Sequence, residues 1–430
     1  MTERLYYRDS FVRAFPANVT DIREASRADG VSIWQIALDR TAFYPTSGGQ
    51  PHDTGILRAT SRNGAVLEAA IEGVEEDESG QIWHFTRKPL QAGTPVEGEI
   101  DWQRRLDHIQ QHSGQHLLSA VFARELNAPT VSFHLGESSS TIDLATPPVA
   151  HHSLLRVERI ANELIAEDRA VTIRTVERAE AEALLAAGSL RKLPEREGPI
   201  RLIDIAGYDL NACGGTHASS TGQIGGLLIR SVERISRGFR VEFVCGLRAV
   251  QSARHDFELL GRAAGALSRK PDEIPAGVER LLAEAKASAK EKQRMREELA
   301  TYHATRLVVE EMIQDNLRFV CRMFADRDPE YIRVLASRVT ASVPRTVALL
   351  ASTESSPARV VLARSGDVDL HCGEMMREAL LALGLRGGGS PDMAQGDLPE
   401  DEVVNFLAMM TGQIRELLIE TDLRMRRSAP

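Results

Sequence analysis

The chain has 430 residues, 43% hydrophobic and 26% charged, which is the balance of an ordinary globular protein of roughly two to four domains. Lys and Arg number 52 against 61 Asp and Glu, a formal charge of −9; this excludes a diffusely basic protein that coats nucleic acid but leaves room for a local basic face. No apolar run reaches the ~20 residues of a membrane span, the N-terminus lacks the apolar core of a secretory signal, and four scattered cysteines (Cys213, Cys245, Cys321, Cys372) form no disulfide framework, so a cytoplasmic protein without membrane association is expected.

Taken in chain order, residues 1–100 carry short β-type segments divided by turn clusters. Val66 to Val74, Gln81 to Thr86 and Val96 to Ile100 read as strands, and their spacing suits a small N-terminal β-barrel. Within it lies Thr41-Ala-Phe-Tyr-Pro-Thr-Ser-Gly-Gly-Gln50, followed by Pro51-His-Asp-Thr-Gly55. From Trp102 the apolar spacing turns helical, with Leu106, Ile109, Leu117, Ala120 and Val121 on the repeat. A β region near 131–144, a helix over 153–167, a strand over 171–176 and a helix over 178–187 follow, then a glycine-rich turn region at 206–226 and an alternating strand at 239–245. Mixed strands and helices without a regular βαβ repeat give an α+β class, with a domain over 101–255. Residues 256–316 read as a helical arm, since 276–315 carries one apolar stripe among charged faces. A C-terminal α/β domain over 317–430 holds strand-like 345–350 and 359–364, then the turn Gly387-Gly-Gly-Ser-Pro-Asp-Met-Ala-Gln-Gly396 and a final helix.

Two motifs a hundred residues apart carry the strongest chemical signal. His112-Ser-Gly-Gln-His116 sets two imidazoles at i and i+4, on one face of a helix and one turn apart. Cys213-Gly-Gly-Thr-His217 sets a thiol and a third imidazole across a glycine turn. Three nitrogens and one sulfur suit tetrahedral Zn²⁺. Either motif alone reads as surface or core residues; together in one chain they read as a zinc site. His108, one turn before His112, reads equally as a group that orients a ligand or as a surface histidine. The remaining unpatterned histidines, among them His255 and His303, read as structural or surface groups.

These stretches, joined by the Thr-Gly-x-Ile-Gly that follows His217, resemble the editing domain of alanyl-tRNA synthetases and its freestanding AlaX relatives. The Gly387 loop resembles the glycine-rich loop of the synthetase C-terminal domain, shared with DHH-type phosphoesterases. The resemblance implies a long-form trans-editing protein, a zinc-dependent hydrolase of mischarged Ser-tRNA(Ala) or Gly-tRNA(Ala). It implies a tRNA-binding C-terminal module and a homodimer through that region. No class II aminoacylation domain, and with it no ATP binding, is expected, because the chain opens on the editing-type module. Phosphoesterase activity is disfavoured: Ala150 precedes His151-His152 where an Asp-His-His triplet would need an aspartate. Ser113-Gly114 stands where synthetases more often show Thr-Ala; both are small pairs, so metal binding is expected to be unchanged, with room for a shift in substrate preference.

Thr41 and Gln50 are the candidates for the pocket that reads the serine hydroxyl, and so for the catalytic set. Whether three or four residues ligate zinc is open, and no general base stands in the motifs. For RNA, residues 230–254 hold six arginines against two glutamates; Arg237 and Arg240 are candidates there, with Arg104 and Arg105 ahead of the metal helix and Gly387, Gly388 and Gly389 in the C-terminal loop. The rival from a different class is a non-catalytic, zinc-stabilised tRNA-binding or dimerisation factor.

Overall fold

The computed structural model describes residues 2–28, 31–61, 63–194, 198–311, 313 and 317–427, and the chain divides into two units, 1–263 and 264–430. The class is mixed α+β. The first unit opens with a seven-stranded sheet in the order Val66–Ile71, Gly55–Thr60, Pro95–Ile100, Ala14–Ala28, Val31–Leu38, Ile82–Thr86, Gly73–Glu76. The long strand Ala14–Ala28 changes partner part-way. Its first residues, to Asn18, pair with Pro95–Ile100, and from Val19 onward it pairs with Val31–Leu38. One core, with Phe15, Val19, Ile36, Leu38, Phe43, Leu57 and Ile71 buried, serves both halves. Strand Pro95–Ile100 shows why the pattern was readable, since its exposed and buried residues alternate strictly. One stretch of chain supplies both ends of this order: Val66–Ile71 pairs with Gly55–Thr60 and Gly73–Glu76 with Ile82–Thr86, and between them the Glu72 N–H donates to Phe85 O at 2.9 Å.

Helix α1 (Trp102–Leu126) follows at once. Asp101 caps it by accepting from the Arg104 N–H at 3.2 Å, and Asn127 ends it in the left-handed conformation at φ 47°. From His108 to Phe122 every residue is buried, polar ones included. A helix of this kind is a functional centre or a structural liability, because each buried polar group requires a partner. Most have one: Gln111 bonds both backbone groups of Cys245, at 3.0 and 2.9 Å, and Ser113 Oγ accepts from Ala218 N–H at 2.9 Å.

Around α1 lie a four-stranded antiparallel sheet (Thr130–Leu135, Ser140–Leu144, Gly238–Cys245, Leu227–Ile235) and helix α2 (His151–Ala166). Ile109, Leu117, Leu118, Val121, Phe122, Phe239, Val241 and Phe243 share their core. Burying each such side chain contributes about 1.5–3 kcal/mol. A three-stranded sheet (Val171–Val176, Ile200–Ile205, Asp209–Ala212) carries helix α3 (Arg178–Ala186) and leads into the Cys213 turn. Helix α4 (Gly246–Ala266) runs across the division between the units.

The second unit holds α5 (Ile274–Glu310), α6 (Pro329–Ser342), α7 (Cys372–Leu381) and α8 (Val403–Arg427) with a five-stranded sheet in the order Arg318–Phe324, Thr346–Ser352, Ala358–Arg364, Met393–Leu398, Gly387–Gly389. Its first two strands are parallel and the rest antiparallel. Strand Thr346–Ser352 is buried throughout because both sheet faces are covered. Ala348 and Leu350 pack toward α5 and α6, while Val347 and Leu349 pack toward α7 and α8. The apolar stripe read over 276–315 resolves accordingly: Val278, Leu281, Leu282 and Met295 are exposed, while Ala300, Ala304, Leu307 and Val308 enter the core.

Candidate metal centre

Helix α1 and the turn after Asp209–Ala212 bring the two motifs together. His112, His116, Cys213 and His217 place their ligand atoms within 4.8 Å of one another. Cys213 Sγ lies 3.3 Å from His112 Nε2, close to the roughly 3.5 Å that a tetrahedral zinc site sets between sulfur and nitrogen ligands. The imidazole centroids are 4.6 Å apart for His112 and His217, 4.7 Å for His116 and His217, and 5.2 Å for His112 and His116.

Burial keeps all three imidazoles neutral. His112 and His217 are held well below the ordinary 6.5, first by desolvation and then by the neighbouring imidazoles, and His116 is pushed down to about 3. Neutral imidazoles have a lone pair to give a cation. Burial pushes the Cys213 thiol up, so a nearby positive charge is needed to make it a thiolate. His217 Nε2 is buried with no hydrogen-bond partner. An orphaned nitrogen facing two imidazoles and a thiol is costly without an ion and satisfied with one. The donor set thus fits a zinc ion on its chemistry and on its spacing.

The residues around the four fix their orientation. Gln50 is fully buried. Its Oε1 accepts from His112 Nδ1 at 2.8 Å and from the Thr216 backbone N–H at 3.0 Å, and its Nε2 donates to Thr216 Oγ1 at 2.9 Å. With Nδ1 carrying the proton, His112 directs Nε2 to the quartet. Gln50, at the end of the Gly-Gly turn, therefore ties the N-terminal sheet, α1 and the cysteine turn to one point. Arg201 holds the same turn from outside, donating to Cys213 O at 2.8 Å and Gly215 O at 2.9 Å. Gly215 has no alternative, since a Cβ there would fall 2.1 Å from His112 Cε1.

The other expected site residues fall elsewhere. Thr41 is fully buried; its Oγ1 is 2.8 Å from His84 Nε2 and accepts from Phe43 N–H at 3.1 Å, while His84 Nδ1 bonds Ile36 O at 2.9 Å. Its hydroxyl is hydrogen-bonded within the first sheet. Gln50 offers its amide to His112 and Thr216. Arg105 is corrected: it and Asp53 are both 0% exposed and form an ion pair, with further bonds to Ser10 O at 2.8 Å and to Ala42 O. No part of that guanidinium can reach RNA. Arg104 donates to His52 O at 2.9 Å and lines an open cleft. Arg237 is exposed at the hairpin turn, and Arg240 pairs with Asp143 at 2.7 Å. Arg230 and Arg248 pair with Asp256 and Asp107, so three of the six arginines in that run are ion-paired in space. Gly387 and Gly389 are packing glycines, where a Cβ would meet Leu380 Cδ1 and Met393 O at 2.2 Å. Arg201 and Ser113 had no signal beyond their place beside the motifs.

Residues 1–104 match the family described as tRNA synthetases class II (A), residues 200–240 the threonyl and alanyl tRNA synthetase second additional domain, and residues 316–416 the DHHA1 domain. The alanyl-tRNA editing protein AlaX-L of Pyrococcus horikoshii is 29% identical over 406 residues, 92% of this chain and 94% of that protein. This chain is a relative of the long-form, AlaX-type alanyl-tRNA editing proteins. The alanine–tRNA ligases of Pyrococcus abyssi and Thermococcus kodakarensis are 32% and 31% identical over 93% and 96% of the chain. The chain spans less than half of those two ligases, 42% and 44% of their length. No helix among the described residues is long and apolar enough to cross a membrane.

Proposed function

We propose that the chain is a trans-editing aminoacyl-tRNA deacylase that hydrolyses the ester of Ser-tRNA(Ala), and of Gly-tRNA(Ala), with zinc at His112, His116, Cys213 and His217. The observation that carries this reading is the quartet of three buried imidazoles and the half-buried Cys213, with its Gln50 clamp. The chemical need is clear: a pocket shaped for alanine rejects a smaller glycine or a serine hydroxyl by only about 100-fold, and a second, hydrolytic site adds to that. Zinc held there would supply a Lewis acid for an ester carbonyl or for water. The chain's own residues keep His112 in one tautomer through Gln50 and hold the cysteine turn through Arg201. Four protein ligands leave no free position in a tetrahedron, so the ion in this reading positions and polarises unless one ligand yields. The C-terminal unit, which matches the DHHA1 family, is assigned to binding tRNA(Ala) and to pairing two copies. The test is deacylation of Ser-, Gly- and Ala-tRNA(Ala) by the zinc-loaded chain. Faster hydrolysis of the serine or glycine ester than of the alanine ester is expected; no hydrolysis of either mischarged ester overturns the proposal.

A further inference from the structure

A cavity of about 240 Å³ lies against the Cys213 turn, with Tyr7, Thr175, Ile200, Arg201, Cys213 and Gly214 in its wall. It is smaller than the roughly 300–1,000 Å³ of a site for a drug-sized ligand, so it suits a small metabolite. Among the described residues that line it, none is acidic and Arg201 is the one cation. Other buried or half-buried guanidiniums of this unit are answered by carboxylates: Arg4 by Glu76, Arg105 by Asp53, Arg191 by Asp209 and Arg248 by Asp107. Arg201 has neutral partners only. It donates to three carbonyl oxygens, Tyr7 O at 3.1 Å, Cys213 O at 2.8 Å and Gly215 O at 2.9 Å, and its Nη2 is buried with no hydrogen-bond partner among the described residues. A half-buried cation without a counter-charge is costly, and a bound anion removes that cost.

Tyr7 is the second, independent observation. Its Oη accepts from Arg4 Nη1 at 3.0 Å, which leaves the hydroxyl proton to donate. It stands over the turn, 3.7 Å from where a Cβ on Gly214 would be, and Arg201 Cζ lies 5.6 Å from the ring centroid. A guanidinium N–H and a hydroxyl thus serve one small cavity, and together they suit a carboxylate. Ester hydrolysis supplies such a group. The acyl group of an aminoacyl ester carries an α-ammonium and no negative charge. Water breaks the bond between the acyl carbon and the RNA oxygen, giving a free RNA hydroxyl, a proton and an amino acid whose carboxylate is new. Cys213 belongs both to the metal quartet and to the cavity wall, so that anion is formed beside a cation that lacks one.

We propose that this cavity binds the free small amino acid that hydrolysis releases, its carboxylate held by Arg201 Nη2 and Tyr7 Oη, so that the site favours product over ester. The proposal rests on the deacylase reading, and its test does not require hydrolysis. The zinc-loaded full chain and its Tyr7→Phe and Thr175→Trp variants are each titrated calorimetrically with L-serine, with glycine and with L-serinamide, whose carboxamide is neutral. The unaltered chain is expected to bind serine and glycine with a dissociation constant on the order of 1 mM, and serinamide at least about tenfold more weakly. Tyr7→Phe keeps the ring and the backbone oxygen that Arg201 uses, and is expected to weaken serine binding about tenfold. Thr175 is exposed on its strand and belongs to no core cluster, so Thr175→Trp is expected to fill the cavity and abolish serine binding with zinc content unchanged. Should one variant fail to fold, the other decides. Equal affinity for serine and serinamide, serine affinity unchanged in a folded variant, or no serine binding by the unaltered chain overturns the proposal. If serine binding follows the expected pattern but no mischarged ester is ever hydrolysed, only the deacylase reading falls. If the chain deacylates Ser-tRNA(Ala) while serine binding fails these tests, only the cavity assignment falls.

Discussion

At the scale of single residues, the largest departure from a motif reading concerns groups that look ready for substrate or RNA. Thr41, Gln50 and Arg105 are polar residues in or near a functional motif, and all three are fully buried with their partners inside the protein. Sequence reports that such groups are special without reporting which way they face. For Gln50 the facing decides the function, since its amide bonds His112 and Thr216. Gln50→Ala is therefore expected to weaken zinc binding by about 10–100-fold, read by competition with a chelator, while Gln50→Glu, which keeps the acceptor for His112, loses less. Equal zinc affinity in Gln50→Ala would remove the clamp. His84 provides a test by pH. Burial pushes it down to about 4 from 6.5. Below pH 6.5 the unfolded chain takes up a proton that the folded chain refuses until near pH 4. The stability that His84 supplies by staying neutral is thus complete above 6.5 and is lost as pH falls toward 4, on the order of 3 kcal/mol. His84→Gln should show a correspondingly flatter urea-unfolding profile between pH 7 and pH 4 than the unaltered chain; superimposable profiles would contradict this.

At the scale of elements, α1 carries most of the account. Its apolar repeat was legible because Ile109, Leu117 and Val121 face one core, and the His112–His116 spacing marked the metal face directly. The rest was not legible because it depends on what packs against the helix. Gly114 illustrates this. A small pair at 113–114 in place of Thr-Ala suggested unchanged metal binding, and it does not report that a Cβ on Gly114 would lie 2.2 Å from Cys245 Sγ. The thiol of the neighbouring sheet fills the space that an alanine would take. Gly114→Ala is expected to cost about 1–3 kcal/mol by overpacking, and adding Cys245→Ala should restore most of it, as read from thermal unfolding of the four proteins of the cycle. Additive losses in the double variant would show that the two residues do not share that space. Arginines 230, 240 and 248 make the same point for charge: their partners Asp256, Asp143 and Asp107 come from other elements, so a local count of basic residues overstated the exposed charge.

At the scale of the whole molecule, the alternation of short strands and helices gave the α+β class, and the exposed and buried halves of α5 explain why an arm and a core helix were read as one stripe. The sheet order, in which Ala14–Ala28 serves two sets of partners, involves pairings far apart in the chain that local patterns do not encode. The two units have separate cores, and the metal quartet belongs to residues 1–263 alone. An ion that binds the folded state stabilises only the unit that holds it. Removing zinc should therefore lower one calorimetric transition and leave that of residues 264–430 in place; an equal shift of both would mean that the units unfold as one. The most direct test of the central claim is anaerobic titration of the metal-free chain with Co²⁺ and Zn²⁺, followed by deacylation of Ser-tRNA(Ala) at each step. One ion per chain is expected, with a thiolate-to-cobalt band lost in Cys213→Ala and deacylation rising in step with occupancy. Full deacylation by demonstrably metal-free protein, or an ion that binds as tightly without Cys213, His112, His116 and His217, would contradict it.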